Sequence, residues 1–157
     1  MSRFGGIKRK VFARHSNPWS AWTRWASTPL VFVPVWNRRW SQAALVVAWM
    51  AVNPIVFPVP RHNRAWSTRA VLGEELWITE RPRDKAMAVN AAASVAGVIA
   101  LAAARKRRPA PAAVAIAAQM ALTLGYWRLM AEYYERSQHD RVLVAVHPWD
   151  VDGRPPG

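Results

Sequence analysis

The sequence predicts an all-α integral membrane protein, a four-helix bundle with an interfacial amphipathic helix between the second and third spans. Three observations carry this. Residues 86–104 contain no charged side chain, and neither do residues 109–127. The 22 Lys and Arg, against 9 Asp and Glu, crowd between such stretches, as in the Arg105-Lys106-Arg107-Arg108 run. The chain has 157 residues, 52% of them hydrophobic, enough for one helical bundle and hardly for two domains. A soluble basic domain that binds nucleic acid would spread its cations over helix faces. Here they bracket apolar runs, as in short loops that fix membrane orientation. The expected partner is therefore a lipid bilayer with anionic lipids at its surface, not nucleic acid.

Residues 1–16 are basic and form the N-terminal segment, with no clean apolar core and cleavage site to mark a signal peptide. Asn17-Pro18 reads as a helix start, with Asn capping free backbone N–H groups and Pro at the first helical position. The first span, 18–36, holds Arg24 near its start and is interrupted by Pro29 and Pro34. Arg24 can keep its stem in hydrocarbon and its head at the interface, and Trp19, Trp22 and Trp25 suit the same depth. Asn37-Arg38-Arg39 is a turn. The second span, 41–57, ends among Pro54, Pro58 and Pro60, where Asn53 is placed to meet carbonyls that Pro54 leaves free. Within the polar connection 61–85, Trp66, Ala70, Gly73 and Trp77 recur at helical spacing, predicting the interfacial helix at about 66–80. The third and fourth spans, 86–104 and 110–131, form a hairpin around the basic turn. Their small residues, Ala93 and Gly97 on one and Ala117 and Ala121 on the other, permit close helix packing. The membrane domain covers 17–136, and a polar tail covers 137–157.

With the N-terminus inside, 14 basic residues lie on the inner face and 6 on the outer. That count predicts a multi-pass protein of the plasma or inner membrane with both termini cytoplasmic.

The strings HSNPWSAWTR (15–24), NPIVFP (53–58) and WSTRAVLGEELW (66–77) resemble an uncharacterised family of small multi-pass membrane proteins over about residues 15–136. The motif positions are Asn17, Pro18, Trp19, Trp22, Arg24, Asn53, Pro54, Trp66, Arg69, Gly73, Glu74 and Trp77. The resemblance implies the four-helix layout and no activity.

The ionisable groups nearest the bilayer are Arg24, Arg128, Glu132 and Glu135, and the candidate polar cluster is Arg24, Arg69, Glu74, Arg128 and Glu132. Arg128 and Glu132 also form an i, i+4 pair. An N-in, four-span chain brings Arg24 and Glu132 to one depth, which predicts a bridge between the first and fourth helices. No cysteine is present, and His15, His62, His139 and His147 lack paired ligand spacing, so no metal site is expected; no cofactor is indicated. Ser16, Ser20 and Ser67 read as capping residues rather than nucleophiles, since no nucleophile-elbow pattern surrounds them.

The favoured function is a structural or accessory role, the chain packing against another membrane protein or itself in a larger complex or homo-oligomer. An enzyme would need Arg24, Arg69, Glu74 and Glu132 around one interfacial cavity. A small transporter would need a polar midplane path built from Asn90, Ser94, Gln119 and Thr123, and four helices would have to oligomerise to enclose it.

Overall fold

A computed structural model describes residues 14–80 and 82–146. Among them every regular element is helical. The helices are α1 (Pro18–Ala26), α2 (Val33–Asn37), α3 (Trp40–Val56), α4 (Trp66–Glu80), α5 (Lys85–Arg105) and α6 (Pro109–Val146), with a 3₁₀ turn, Thr28–Val31, between α1 and α2.

The stretch expected as one first span is thus three short pieces. Pro29 and Pro34 cause this. Each lacks the N–H that would continue the ladder, and each sits in the first turn of the piece that follows the break. Further along, α3 starts one residue before the expected 41–57 and ends one before it. Helix α4 occupies the expected 66–80, and α5 runs one residue past 86–104 at each end. The polar tail expected from 137 begins as helix, because α6 continues to Val146. Residues 130–146 contain neither Gly nor Pro, so nothing stops the helix there.

The antiparallel pair α5 and α6 is the spine. Ala93, Ala96, Gly97, Ala100, Ala103 and Ala104 of α5 are buried, and side chains this small let the two backbones approach. A Cβ at Gly97 would come within 3.0 Å of the Gln119 side chain on α6. The facing residues on α6 include Ala112 and Ala115, whereas Ala117 and Ala121 are exposed. Within the chain, Ala117 and Ala121 therefore do not make the hairpin contact. The hairpin closes on the neighbouring stripe of α6, and these two alanines face outward.

Three further segments lie along this spine. Trp22 of α1 packs on Trp127 of α6, and Trp25 Nε1 donates to the Met120 carbonyl at 3.2 Å. Phe32 is buried with Ala100, Ala104 and Ala115, with Val35, Trp36 and Ile116 packed around them. The broken α1–α2 stretch therefore travels along α6 toward the basic turn, and Arg38 and Arg39 end beside Arg105. Helix α3 returns, with Asn53 reaching Ser20 and Thr23 of α1. Four segments thus run between two ends of the molecule.

Helix α4 crosses the spine at one end. Trp66, at its start, touches Trp127, and Glu80, at its close, accepts from the Tyr133 hydroxyl. Residues at opposite ends of the 15-residue α4 thus have partners fewer than two turns apart on α6, so α4 runs across α6 rather than along it. It is not a surface helix with a free apolar face, for Ser67, Thr68, Ala70, Val71 and Gly73 are all buried. From this crossing to the basic turn, α6 spans about 30 Å, at 1.5 Å per residue.

By length and composition α5 and α6 are apolar enough to cross a membrane, with mean hydropathies of 1.9 and 1.2 over their best windows. Only 28% and 17% of those windows is buried within the chain. A soluble protein's core helix would be mostly buried, whereas these present Val95, Val98, Ile99 and Val114 outward. Helix α3 is apolar but shorter, and exposes Leu45, Val47, Val52 and Ile55.

Candidate functional site

The three sequence strings 15–24, 53–58 and 66–77, far apart in the chain, meet at the α4 end. Asn17 begins the junction. Its Oδ1 accepts from the Trp19 N–H at 2.9 Å, capping α1, and its Nδ2 donates to the Pro58 carbonyl at 2.8 Å. One turn on, Ser20 Oγ donates to Asn53 Oδ1, and Asn53 Nδ2 donates to Thr23 Oγ1, both at 2.9 Å. Thr23 Oγ1 in turn donates to the Trp19 carbonyl at 2.6 Å. Asn53 is fully buried, and this clasp satisfies both ends of its amide. The side chain was expected to meet carbonyls freed by Pro54; it reaches α1 instead. Thr68 Oγ1 on α4 donates to the Ser16 carbonyl at 2.7 Å, which adds the third string. Trp22 packs on Trp25, Trp66 and Trp127 at centroid distances of 5.8, 6.0 and 5.8 Å, forming the apolar side of the junction.

Beside this junction lies a cavity of about 240 Å³ whose polar lining is His15, Arg24, Thr28, Glu74 and Thr123, with Trp25, Met50, Val71 and Trp127 as apolar walls. Arg24 projects back along α1, as helical side chains do. Its Nε donates to the Ser20 carbonyl at 3.2 Å, and one terminal nitrogen lies 2.7 Å from the His15 ring. Burial, and then the Arg24 charge, lowers the His15 pKa to about 4, so at neutral pH the ring is uncharged and can accept from the guanidinium. Burial raises the Glu74 pKa, partly offset by the Tyr126 hydroxyl, which donates to Oε1 at 3.2 Å, and by Arg24. The cavity therefore offers a cation, a desolvated carboxyl and a neutral imidazole to one small polar group.

Of the five residues expected to cluster, only Arg24 and Glu74 share this cavity. Arg69 pairs with Glu135 at 2.6 Å, and Arg128 with Glu132 at 3.0 Å, both on partly open surface. The expected Arg24–Glu132 bridge does not form, because Glu132 turns to its own helix neighbour and Arg24 turns toward His15. Within one chain, the residues suggested for a polar path, Asn90, Ser94, Gln119 and Thr123, do not enclose it. Asn90 and Ser94 are exposed, while the Ser94 and Thr123 hydroxyls donate to carbonyls of their own helices. Among the described residues no three His, Asp or Glu side chains gather as a metal-ligand set, and His147 lies outside the described residues.

His15, Ser20 and Tyr126 were not singled out as site residues. Nothing in their local spacing marks them, since each gains its role from a partner on another element. Asn53, a lone amide in an apolar run beside Pro54, carried a visible signal, although its partner did not.

No curated protein and no solved structure matches the chain. A family model described as a family of unknown function, DUF6653, matches residues 1–134, most of the chain, and the protein therefore belongs to that family.

Proposed function

We propose that the protein is a multi-pass component of the cell membrane with a structural or accessory role, joining a second copy or another membrane protein through the outer face of α6. In this reading the α1–α2 stretch, α3, α5 and the first part of α6 each cross the bilayer, and α4 lies at one interface. The 30 Å between α4 and the basic turn matches a hydrocarbon core, and the apolar residues left exposed on α3, α5 and α6 suit lipid. The observation that carries the accessory role is the outward stripe Ala113, Ala117, Ala121 and Gly125 on α6, all exposed and spaced by four. Small residues in that register let a second helix approach closely, and dispersion accumulates where lipid would pack less well.

Native mass analysis of the full chain after gentle detergent extraction tests this. A species heavier than the 17.7 kDa chain is expected, and Ala117→Leu with Ala121→Leu should reduce it to the monomer without lowering its melting temperature. A monomeric wild-type protein, or an assembly indifferent to both substitutions, would overturn the reading. The cavity at Arg24 and Glu74 favours a second one, an interfacial site for a small polar ligand. A monomer that retains a bound small molecule, lost in Arg24→Gln, would support that alternative.

A further inference from the structure

The end of the bundle remote from α4 holds a second cavity, of about 360 Å³, lined by Pro34, Val35, Trp40 and Ala43 together with Arg38, Arg39 and Arg105. Among the described residues no carboxylate pairs with these guanidinium groups. All nine Asp and Glu lie within 74–84 or 132–152, and both ion pairs among the described residues join α6 residues near the opposite end. Lys106, Arg107 and Arg108 follow directly in the turn and add to the same positive field.

The backbone adds to it. Helix α3, 17 residues long, begins at this cavity with Arg39 in the capping position, no side-chain cap and no acidic residue in its first turn. Its first N–H groups therefore point outward unpartnered by the helix, at the positive end of the dipole. Arg38 stands in the left-handed conformation with φ 55°, and Arg107 does so with φ 51°. Glycine adopts that conformation at lower cost. These are the two non-glycine residues with positive φ among the described residues, and both are arginines at this one end. A turn alone would be served by glycine; an arginine keeps the turn and adds a guanidinium.

We propose that this cavity binds the phosphate headgroup of an anionic phospholipid, held by Arg38, Arg39 and Arg105 and by the open start of α3. Guanidinium forks match phosphate oxygens in pairs. The volume exceeds what a bare phosphate fills, and Pro34, Val35 and Ala43 give the first carbons of the lipid an apolar wall. Trp40, 87% exposed, stands beside it where headgroups lie. The choice of a lipid over a free phosphate ester, which has the same chemistry, rests on the membrane reading above.

The test uses the purified full chain in nanodiscs of phosphatidylcholine alone or of phosphatidylcholine and phosphatidylglycerol in equal parts, with inorganic phosphate as a separate addition. Thermal melting and native mass spectrometry of retained lipid are the readouts. Phosphatidylglycerol should raise the melting temperature and be retained preferentially. Arg39→Gln with Arg105→Gln should weaken retention roughly thirty-fold, as expected for two cations near a charged surface. Arg61→Gln with Arg64→Gln, at the opposite end, should leave it unchanged. Arg38→Gly separates binding from folding: it should melt higher in phosphatidylcholine, because the turn is relieved, yet retain less phosphatidylglycerol. Equal retention of both lipids, or an effect of the Arg61 and Arg64 pair as large as that of Arg39 and Arg105, would overturn the proposal. So would stabilisation by inorganic phosphate equal to that by the lipid, which would assign the site to a free ester. A chain that leaves the membrane in alkaline carbonate would fail the membrane reading itself. One that stays in it without lipid preference would fail this inference alone.

Discussion

His15 shows how a residue whose own spacing marks no chemistry gains a role from its neighbours. Its ring lies against Arg24, and burial together with that charge holds its pKa at about 4, below the ordinary 6.5. The unfolded chain therefore binds a proton that the folded chain refuses, and folding loses stability as pH falls from 6.5 toward 4. Glu74, across the same cavity, works in the opposite sense, because its raised pKa makes proton uptake favour the folded state. Comparison with a His15→Gln variant isolates the histidine. In detergent the wild-type melting temperature should drop over that window, and the variant should drop less. Parallel curves would show that the ring is already free to ionise. Arg24 and Glu74 were both legible in the sequence as charges close to an apolar run. Their grouping was expected too, but not the separation of Arg69, Arg128 and Glu132 from them, because that depends on α4 crossing α6 rather than on any spacing along the chain.

At the scale of elements, the legible helices are those whose ends are written locally. Helix α4 begins after the proline-rich stretch 54–60 and follows the Trp66, Ala70, Gly73, Trp77 spacing, while Asp84 caps α5 by accepting from the Ala86 N–H. The interruptions of the first span were legible, because Pro29 and Pro34 mark where the hydrogen-bond ladder stops; the 3₁₀ turn between them was not. The end of α6 was not legible, because a polar helix carries no apolar period to reveal it. The contact between α4 and α6 turns on Gly73. A Cβ there would lie 1.9 Å from the Met130 carbonyl oxygen, a backbone atom that cannot swing aside. Alanine favours a helix interior over glycine by about 1 kcal/mol. Forcing two packed backbones apart costs about 1–3 kcal/mol or more. The clash wins, so Gly73→Ala should lower the melting temperature and loosen α4, seen as faster amide exchange across 66–80. A variant as stable as wild type would mean that α4 can shift along α6 without loss.

The whole molecule has two chemically different ends, and its orientation follows from them. The α4 end gathers Arg14, Arg61, Arg64, Arg69, Arg83 and Lys85 among mixed charges, whereas the far end holds six cations at 38–39 and 105–108 with no acid beside them in the chain. The orientation rule counts Lys and Arg in short connections and gives acids little weight, so the 14-to-6 excess predicts that the α4 end faces the cytoplasm. The six at the far end then need an anion to offset them, which is where the proposed lipid site lies. Because the chain has no cysteine, single replacements report position cleanly. Ser67 would be a poor choice, since at 2% exposure it would resist a reagent on either side. His62, His139 and Arg108 are exposed. In intact cells an impermeant thiol reagent should label Arg108→Cys and spare His62→Cys and His139→Cys, and all three should react once the membrane is opened. The reverse pattern would keep the four crossings and invert the molecule. Labelling of His62→Cys with protection of His139→Cys would mean an odd number of crossings between them, and the α5–α6 hairpin would not span the bilayer twice.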